Sequence, residues 1–152
     1  MTDLLPELAA TLPPVVQLDG ELVALDSQGA PDFHRLGSRM LRGRPGISIV
    51  LFVFDLLAVE GLPTIDLPYA KRWELLEELC VEGRYVRLVA TFEDGQALFE
   101  AICERRLEGV VAKRISDRYQ PGDRGWVKTK NRKTVRFQEE LKRARRGVRV
   151  NS

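Results

Sequence analysis

A nearly continuous apolar segment, Ile47 to Val59, most constrains how this chain can fold. Its thirteen residues include only two polar ones, Ser48 and Asp55, and are otherwise rich in Val, Ile, Leu and Phe. A half-exposed strand or an amphipathic helix would bring polar residues in at regular intervals, so this segment is typical of a strand buried on both faces. It predicts the central strand of a sheet.

The segments before this strand predict a second strand and a helix. Val15 to Leu25 is patterned as a strand, and the turn sequence Asp26-Ser-Gln-Gly29 follows it. Asp32 can cap a short helix over Phe33 to Leu41, because its carboxylate can accept hydrogen bonds from the first free amides.

The segments after it continue with alternating helices and strands. Pro68 to Leu79 predicts a helix, Tyr85 to Thr91 a strand, and Asp94 opens a second helix through Arg105 or Arg106. Two strands with polar motifs come next, and Phe137 to Arg146 predicts a basic helix. The fold class is therefore α+β, with a mostly antiparallel sheet and flanking helices.

Composition describes an ordinary globular protein. The 152 residues are 44% hydrophobic and 30% charged. No apolar run reaches membrane-spanning length and the start lacks a signal sequence, so no membrane partner is expected. Cys80 and Cys103 have no metal or redox spacing, which favours two reduced thiols and a cytoplasmic location.

Charge is unevenly distributed along the chain. Residues 113–152 hold 14 of the 24 Lys and Arg but 4 of the 22 Asp and Glu, which leaves 10 basic and 18 acidic residues in 1–112. This asymmetry favours an anionic partner for the C-terminal quarter, with nucleic acid first. A basic tail that is merely solvated is the alternative, and composition does not decide between them.

Two polar strand motifs predict a phosphate site. They are Glu108-Gly-Val-Val-Ala-Lys113 and Trp126-Val-Lys-Thr-Lys130. Strand alternation puts Trp126, Lys128 and Lys130 on one face. We expect the two ammonium groups and the Glu108 carboxylate, which could hold a metal ion, to meet around a bound triphosphate or its α-phosphate.

Two upstream motifs add acidic and aromatic candidates. Asp19 and Glu21 alternate onto one strand face, where they could approach a ribose or a metal, although such a pair is more often simply solvated. Phe54, in Phe52-Val-Phe-Asp55, could stack on a purine, although phenylalanines in an apolar strand are usually core.

Together the motifs resemble those of the ATP-dependent DNA ligases. Leu18-Asp-Gly-Glu21-Leu-Val is similar to the family's third motif, and Phe54-Asp55 and the two lysine-bearing strands follow in the family's order. The resemblance runs from about Leu5 to Lys133 and is closest to small bacterial ligases and the ligase module of end-joining enzymes. It implies residues 1–133 as the C-terminal portion of an ATP-grasp-like nucleotidyltransferase (adenylation) domain, and 134–152 as a basic helix or tail.

The resemblance also implies a role for each candidate. Glu21 would contact the ribose of ATP or AMP, Phe54 would stack on adenine, and Lys128 and Lys130 would bind the α-phosphate. Glu108 would hold a divalent metal, Mg²⁺, beside the reacting phosphate. Phe33 also matches a family position, but we expect it to pack rather than bind. The implied substrate is nicked double-stranded DNA, sealed in repair and recombination, and it implies a nucleoid-associated location in the cytoplasm.

Two departures from the family pattern affect the expected activity. The family attacks ATP through the lysine of Lys-x-Asp-Gly, whereas the first lysine here is Lys71, and Gln17-Leu-Asp-Gly20 carries an amide that is not a useful nucleophile. Residues after 133 are too few for the OB-fold barrel that grips DNA. We therefore expect no self-adenylation by this chain alone.

Three hypotheses follow for the function. The chain is part of a nick-sealing enzyme, a non-catalytic module that binds nucleotide or nicked DNA, or one half of a split ligase whose second polypeptide supplies the nucleophile.

Weaker candidates are single residues with no supporting motif. His34, the only histidine, lies at a predicted helix start, where a surface position is more common than a catalytic base. Basic side chains that could contact a DNA backbone, with plain solvation equally good, are Arg118, Arg124, Arg143 and Arg146.

Overall fold

The structure is a computed structural model that describes residues 5–29, 31–32, 35–37, 47–79, 81–122 and 126–134. It divides into two compact units. The first comprises Met1–Ala90 and Ile115–Pro121, and the second comprises Thr91–Arg114 and Gly122–Ser152.

A four-stranded sheet forms the first unit. Its strands are β1 (Val16–Leu25), β2 (Ser48–Val59), β3 (Leu62–Pro63) and β4 (Val86–Leu88). β2 pairs antiparallel with β1 and β3 and parallel with β4, so it is the central strand that the apolar segment predicted. β4 is shorter than the predicted strand Tyr85 to Thr91, although the amide of Val89 still donates to the Val53 carbonyl at 3.0 Å.

Two helices that the structure describes in full lie against this sheet. They are α1 (Leu5–Thr11) and α2 (Tyr69–Glu78), which packs against β2. The main core joins them to the sheet: Val53, Leu56, Leu76, Val81 and Val86 are fully buried, and Leu8, Leu12 and Trp73 pack against them. A second, smaller cluster of Val23, Leu25 and Val50, with Phe52 against it, lies along β1 and β2.

The connection after β1 agrees with its predicted turn chemistry. Gly29 donates to the Asp26 carbonyl at 3.1 Å, and the Asp32 carboxylate accepts the Arg35 amide at 3.1 Å, as expected of a helix cap. Residues 35–37 are helical. Phe33, His34 and the predicted end of this helix lie outside the described residues.

In its described residues, the second unit contains one helix and a two-stranded ribbon. α3 (Gly95–Glu104) begins at Asp94, whose carboxylate accepts the amides of Gln96 and Ala97, each at 3.0 Å, which confirms the predicted cap. α3 packs against β5 (Gly109–Ala112), and β5 pairs antiparallel with β6 (Val127–Lys130). The α+β class with a mostly antiparallel sheet is confirmed. The predicted basic helix at Phe137 to Arg146 lies outside the described residues.

Candidate functional site

Glu21 lies at the middle of β1 with its side chain exposed. It pairs with Phe52 of β2, and the pairing of β1 is continuous from Val16 to Leu25. Since all the extra residues of this pairing are in β2, alternation along β1 keeps Asp19 and Glu21 on one face of the sheet, as the sequence indicated.

Phe54 is an extra residue at a β-bulge. Asp19 pairs with Asp55 and Gly20 pairs with Val53, so Phe54 is the extra residue of β2 between two consecutive positions of β1. A bulge bends its strand and re-aims a side chain, and bulges are over-represented beside active sites. The half-buried Phe54 therefore lies at one of the two register shifts in the pairing of β2 with β1.

Gly20 allows the close approach of the two strands at this bulge. A Cβ atom built at Gly20 would lie 2.7 Å from the carbonyl oxygen of Phe52, a distance that real side chains do not reach. The Asp-Gly-Glu sequence thus has a packing reason for its glycine, independent of any ligand.

Asp55, next to Phe54, is buried and paired with Arg72 of α2. Nε of Arg72 donates to Oδ1 at 2.7 Å and Nη2 donates to Oδ2 at 3.0 Å, and both residues are 1% exposed. The Leu56 amide also donates to Oδ1 at 3.0 Å. A buried carboxylate needs such compensation, because removal from water disfavours its charged form.

Arg72 also fastens the chain segment that follows β5. Its Nη1 donates to the carbonyls of Leu67 at 2.6 Å and Asp117 at 3.1 Å. The amides of Tyr69 and Ala70, at the start of α2, donate to the carbonyls of Asp117 and Ile115. Ile115 and Asp117 thus accept two of the amides that the first turn of a helix leaves without an intrahelical acceptor.

Tyr119 joins the same segment to β1. Its hydroxyl donates to Oδ2 of Asp19 at 2.8 Å. Burial, then the hydrogen bond to Asp19, raises the pKa of Tyr119 to about 12. Burial, and then the Asp55 charge, likewise raises the pKa of Tyr69 to about 12. Asp19 is therefore occupied by a protein partner, whereas Glu21 is exposed.

The β5–β6 ribbon of the second unit carries both predicted phosphate-binding lysines. Lys128 pairs with Val111, and Lys130 pairs with Gly109. The side chains of Val111 and of Val127, Lys128 and Lys130 in β6 are exposed. Cross-strand partners share a face, so the lysines lie on the face of Val111. Next to them, Nζ of Lys113 lies 3.9 Å from the centre of the Trp126 ring, a cation–π contact.

Glu108 lies at the end of this ribbon. Its carbonyl oxygen accepts the Asn131 amide at 2.7 Å, and the buried Asn131 side chain donates to the Leu107 carbonyl at 3.1 Å. Regular alternation from β5 groups Glu108 with Val110, while the lysines are grouped with Val111. Strand pairing therefore does not itself bring the carboxylate to the lysine face, and their convergence stays a prediction.

Gly109 is required by the approach of β6 to β5. A Cβ atom at this position would lie 2.2 Å from the Thr129 carbonyl oxygen and 3.0 Å from Cα of Lys130. Because both atoms belong to the backbone, no side-chain rotation can relieve the overlap. The glycine after Glu108 thus sets how closely the lysine-bearing strand lies beside β5.

The described residues contain neither a cluster of metal-binding side chains nor a membrane-spanning helix. In the parts of the chain that the structure describes, no three His, Cys, Asp or Glu side chains group so as to hold a metal ion. A single carboxylate is nevertheless a sufficient protein ligand for Mg²⁺, which usually keeps waters and binds through substrate phosphates. No described helix is long and apolar enough to cross a membrane.

Of the predicted DNA-contacting arginines, the structure describes one. Arg118 is exposed, and its Nη1 lies 3.9 Å from Oδ1 of the equally exposed Asp66. Surface pairs of this length contribute little to stability. Arg124, Arg143 and Arg146 lie outside the described residues, as does Cys80, and Cys103 is a half-buried free thiol of α3.

A family model decides the relationship of the chain to known proteins. The model for the ATP dependent DNA ligase domain matches residues 1–130. The chain belongs to this family. All five candidate nucleotide-binding residues lie inside the match, which confirms the resemblance drawn from the motifs.

Relatives in the ligase family support the same assignment. The multifunctional non-homologous end joining protein LigD of Mycolicibacterium smegmatis is 36% identical over 117 residues, covering 76% of this chain and 15% of that protein. LigD of Pseudomonas aeruginosa is 40% identical over 118 residues (74% and 14%). A DNA ligase of Thermococcus onnurineus is 33% identical over 127 residues (74% and 23%).

Solved ligase structures resemble the fold. A mycobacterial DNA ligase D complexed with ATP and MES aligns with a TM-score of 0.63 at 36% identity, covering 76% of this chain and 38% of that one. The ligase domain of Mycobacterium tuberculosis LigD aligns with a TM-score of 0.62 and covers 76% and 37%. The chain thus spans well under half the length of these relatives and of these solved structures.

Sequence reasoning missed several residues that the structure brings beside the candidates. Arg72 and Tyr119 contact the acidic residues of the upstream motifs from 17 and 100 positions away. An arginine within the apolar stripe of a predicted helix was the available signal for Arg72. No local pattern marked Tyr119 or the buried Asn131.

Proposed function

We propose that this chain binds ATP or AMP as the base- and phosphate-holding portion of a DNA ligase adenylation domain. The observation that carries the proposal is the family match over residues 1–130, which includes every motif residue named as a ligand. The mycobacterial DNA ligase D that was solved in complex with ATP has the same fold over 76% of this chain.

The first unit supplies groups for the nucleoside. Phe54, at the bulge of β2, offers an aromatic ring for adenine, and base–aromatic stacking contributes about 1–3 kcal/mol. Glu21, exposed on β1, offers a carboxylate that accepts hydrogen bonds from ribose hydroxyls.

The second unit supplies groups for the phosphates. Lys128 and Lys130 carry ammonium groups on one face of the ribbon. Their positive charge would stabilise the negative charge that develops as pyrophosphate leaves. Glu108 provides one carboxylate for Mg²⁺, and oxygen atoms are the ligands that this ion prefers. Mg²⁺ bound with ATP would supply Lewis-acid polarisation of the reacting phosphate.

The chain by itself is proposed not to adenylate itself. Its 152 residues contain no Lys-x-Asp-Gly, and glutamine stands in the similar stretch Gln17-Leu-Asp-Gly20. Purified protein incubated with labelled ATP and Mg²⁺ should therefore form no covalent adduct. A label that resists denaturation and maps to any lysine would overturn this part of the proposal.

Nucleotide titration tests the binding itself. Lys128→Ala combined with Lys130→Ala should weaken ATP binding at least about tenfold at low salt, since each removed phosphate contact is charge-assisted. Lys71→Ala is the matched control, because it removes one exposed positive charge that pairs with Glu74 on α2. No ATP or AMP binding by the wild type at millimolar ligand would leave the family assignment standing and refute the binding function.

A split enzyme is the second candidate, because a motif residue set without Lys-x-Asp-Gly needs a nucleophile from elsewhere. A second polypeptide carrying Lys-x-Asp-Gly would then restore sealing of nicked double-stranded DNA, the substrate proposed for the complete enzyme. Added fragments that bind this chain without restoring sealing would instead favour the non-catalytic nucleotide-binding module. A cytoplasmic, nucleoid-associated location stays a prediction.

A further inference from the structure

The residue that follows Phe54 at the bulge of β2 is a buried aspartate, Asp55. Asp55, the next residue, receives two hydrogen bonds from Arg72, at 2.7 and 3.0 Å, and a third from the Leu56 amide. Phe54 is the bulge residue of β2, directly before Asp55. Because the two residues share a peptide bond, fixing the Asp55 side chain restrains the backbone that carries Phe54.

The Arg72 side chain has further contacts besides Asp55. Its Nη1 donates to the carbonyls of Leu67 and Asp117, and its guanidinium carbon lies 5.5 Å from the Tyr69 ring centre and 5.8 Å from that of Tyr119. Tyr69 adds a long contact of 3.5 Å from its hydroxyl to the Phe54 carbonyl. The bulge thus has two anchors on α2, one through Asp55 and one at Phe54.

Only arginine satisfies this arrangement. The bidentate contact with Asp55 uses a planar fork, and the two carbonyls use a third nitrogen of the same plane. A lysine side chain carries one nitrogen atom, and it lacks both the fork and the flat cationic surface that arginine presents to the rings of Tyr69 and Tyr119. The full set of contacts exceeds what neutralising one aspartate requires.

We propose that Arg72 is a positioning residue for adenine recognition: through Asp55 it fixes the β2 bulge and with it the ring of Phe54. The proposal rests on the nucleotide-binding function above and adds to it a residue that does not touch the ligand. We expect Arg72 to affect the binding of the adenine base and not that of the phosphates. Its contacts lie in the first unit, whereas the lysines proposed to bind phosphate lie in the second.

The test compares a ligand with a base and one without. Affinities of AMP, ATP and inorganic tripolyphosphate are measured for the wild type, Arg72→Lys and Asp55→Asn, with Arg87→Lys as control for an exposed arginine on β4. Arg72→Lys and Asp55→Asn should weaken AMP and ATP about tenfold, the scale of a lost stacking contact. Tripolyphosphate affinity should stay within about twofold, since no phosphate contact changes.

A readout on the wild type covers the case in which these variants fold poorly. The Nε–H resonance of Arg72 and the ring resonances of Phe54 should both shift on AMP addition and stay in place on tripolyphosphate addition. An Arg72 signal that ignores AMP while the Phe54 signals move would overturn the positioning role.

The outcomes separate this inference from the proposed function. A wild type that binds none of the three ligands refutes the nucleotide function and the adenine role with it. Variants that bind AMP as the wild type does, or that lose AMP and tripolyphosphate equally, overturn the positioning role and leave nucleotide binding intact.

Discussion

The hydroxyl of Tyr119 donates a 2.8 Å hydrogen bond to Oδ2 of Asp19, which joins two residues 100 positions apart. Asp19 is two residues from Glu21, and Tyr119 belongs to the segment that Arg72 and α2 hold through Asp117. The bond therefore connects the strand that carries a proposed ribose ligand with the chain that returns from β5.

Removing this hydroxyl should destabilise the first unit. Tyr119→Phe leaves the ring beside Arg72 but removes the donor to Asp19, and a hydrogen bond to a charged acceptor contributes about 1.5–3 kcal/mol, less where water can replace it. Since Tyr119 and Asp19 are only half-buried, we expect about 1 kcal/mol lower free energy of unfolding in urea denaturation. Tyr85→Phe is the control, and an equal effect of both variants would contradict the role given to this bond.

Stability should fall at alkaline pH through the same network. The pKa values of Tyr69 and Tyr119 are raised from 10.0 to about 12, chiefly by burial, so the fold favours their protonated forms. Their contribution is complete below pH 10, where the unfolded tyrosines are still protonated, and is lost as pH rises through 12. Between these values the unfolded chain binds fewer protons than the folded one.

Urea denaturation at pH values from about 9 to about 11 measures how the free energy of unfolding changes with pH. This range brackets the ordinary tyrosine pKa of 10.0. Lysines titrate in the same range, so the informative quantity is the difference between the wild type and the Tyr69→Phe, Tyr119→Phe double variant. The wild type should lose stability more steeply. Parallel curves for the two proteins would show that these tyrosines do not ionise differently on unfolding.

Local signals allowed much of this fold to be predicted from the sequence. The apolar run around Val53 identified the central strand, and the carboxylates of Asp32 and Asp94 identified helix starts, because each depends on interactions within a few residues. The order of the motifs identified the family. These features need no knowledge of which distant elements meet.

The parts that escaped prediction depend on distant partners. The bulge at Phe54 follows from the register of β1 against β2, and the burial of Arg72 follows from its meeting Asp55. Strand alternation also grouped Glu108 with Val110, but only the register of β5 and β6 shows that Lys128 lies opposite Val111. Which residues converge on a ligand therefore could not be read from spacing alone.

Loss of the Asp94 cap should loosen α3. Its carboxylate accepts two amides of the first turn at 3.0 Å, and replacing such a cap with alanine costs about 1 kcal/mol. Asp94→Ala should lower the free energy of unfolding by that amount and speed amide exchange in the first turn of α3. Asp94→Asn, which keeps a side-chain oxygen acceptor, is the control and should retain most of the stability. Equal losses in both variants would show that charge, not the cap, is responsible.

The spacing of β5 and β6 should be sensitive to a single methyl group. In Gly109→Ala the new Cβ would meet the Thr129 carbonyl oxygen at 2.2 Å, so one of the two backbones must move. We expect a cost of about 1–3 kcal/mol, the range for overpacking of a well-packed site. Amide exchange of Val110 and Thr129 should accelerate, because the displaced strands no longer protect each other. Tripolyphosphate binding should weaken as Lys130, the cross-strand partner of Gly109, shifts.

Gly95→Ala provides the matched control for this change. A Cβ atom at Gly95 meets nothing within 4 Å, and the residue begins α3, where alanine is well tolerated. The control should keep the exchange rates of β5 and β6 and the tripolyphosphate affinity of the wild type. If Gly109→Ala also kept both, the ribbon would have enough freedom to take up the methyl group. Gly109 would then not be what sets the position of the lysine-bearing strand.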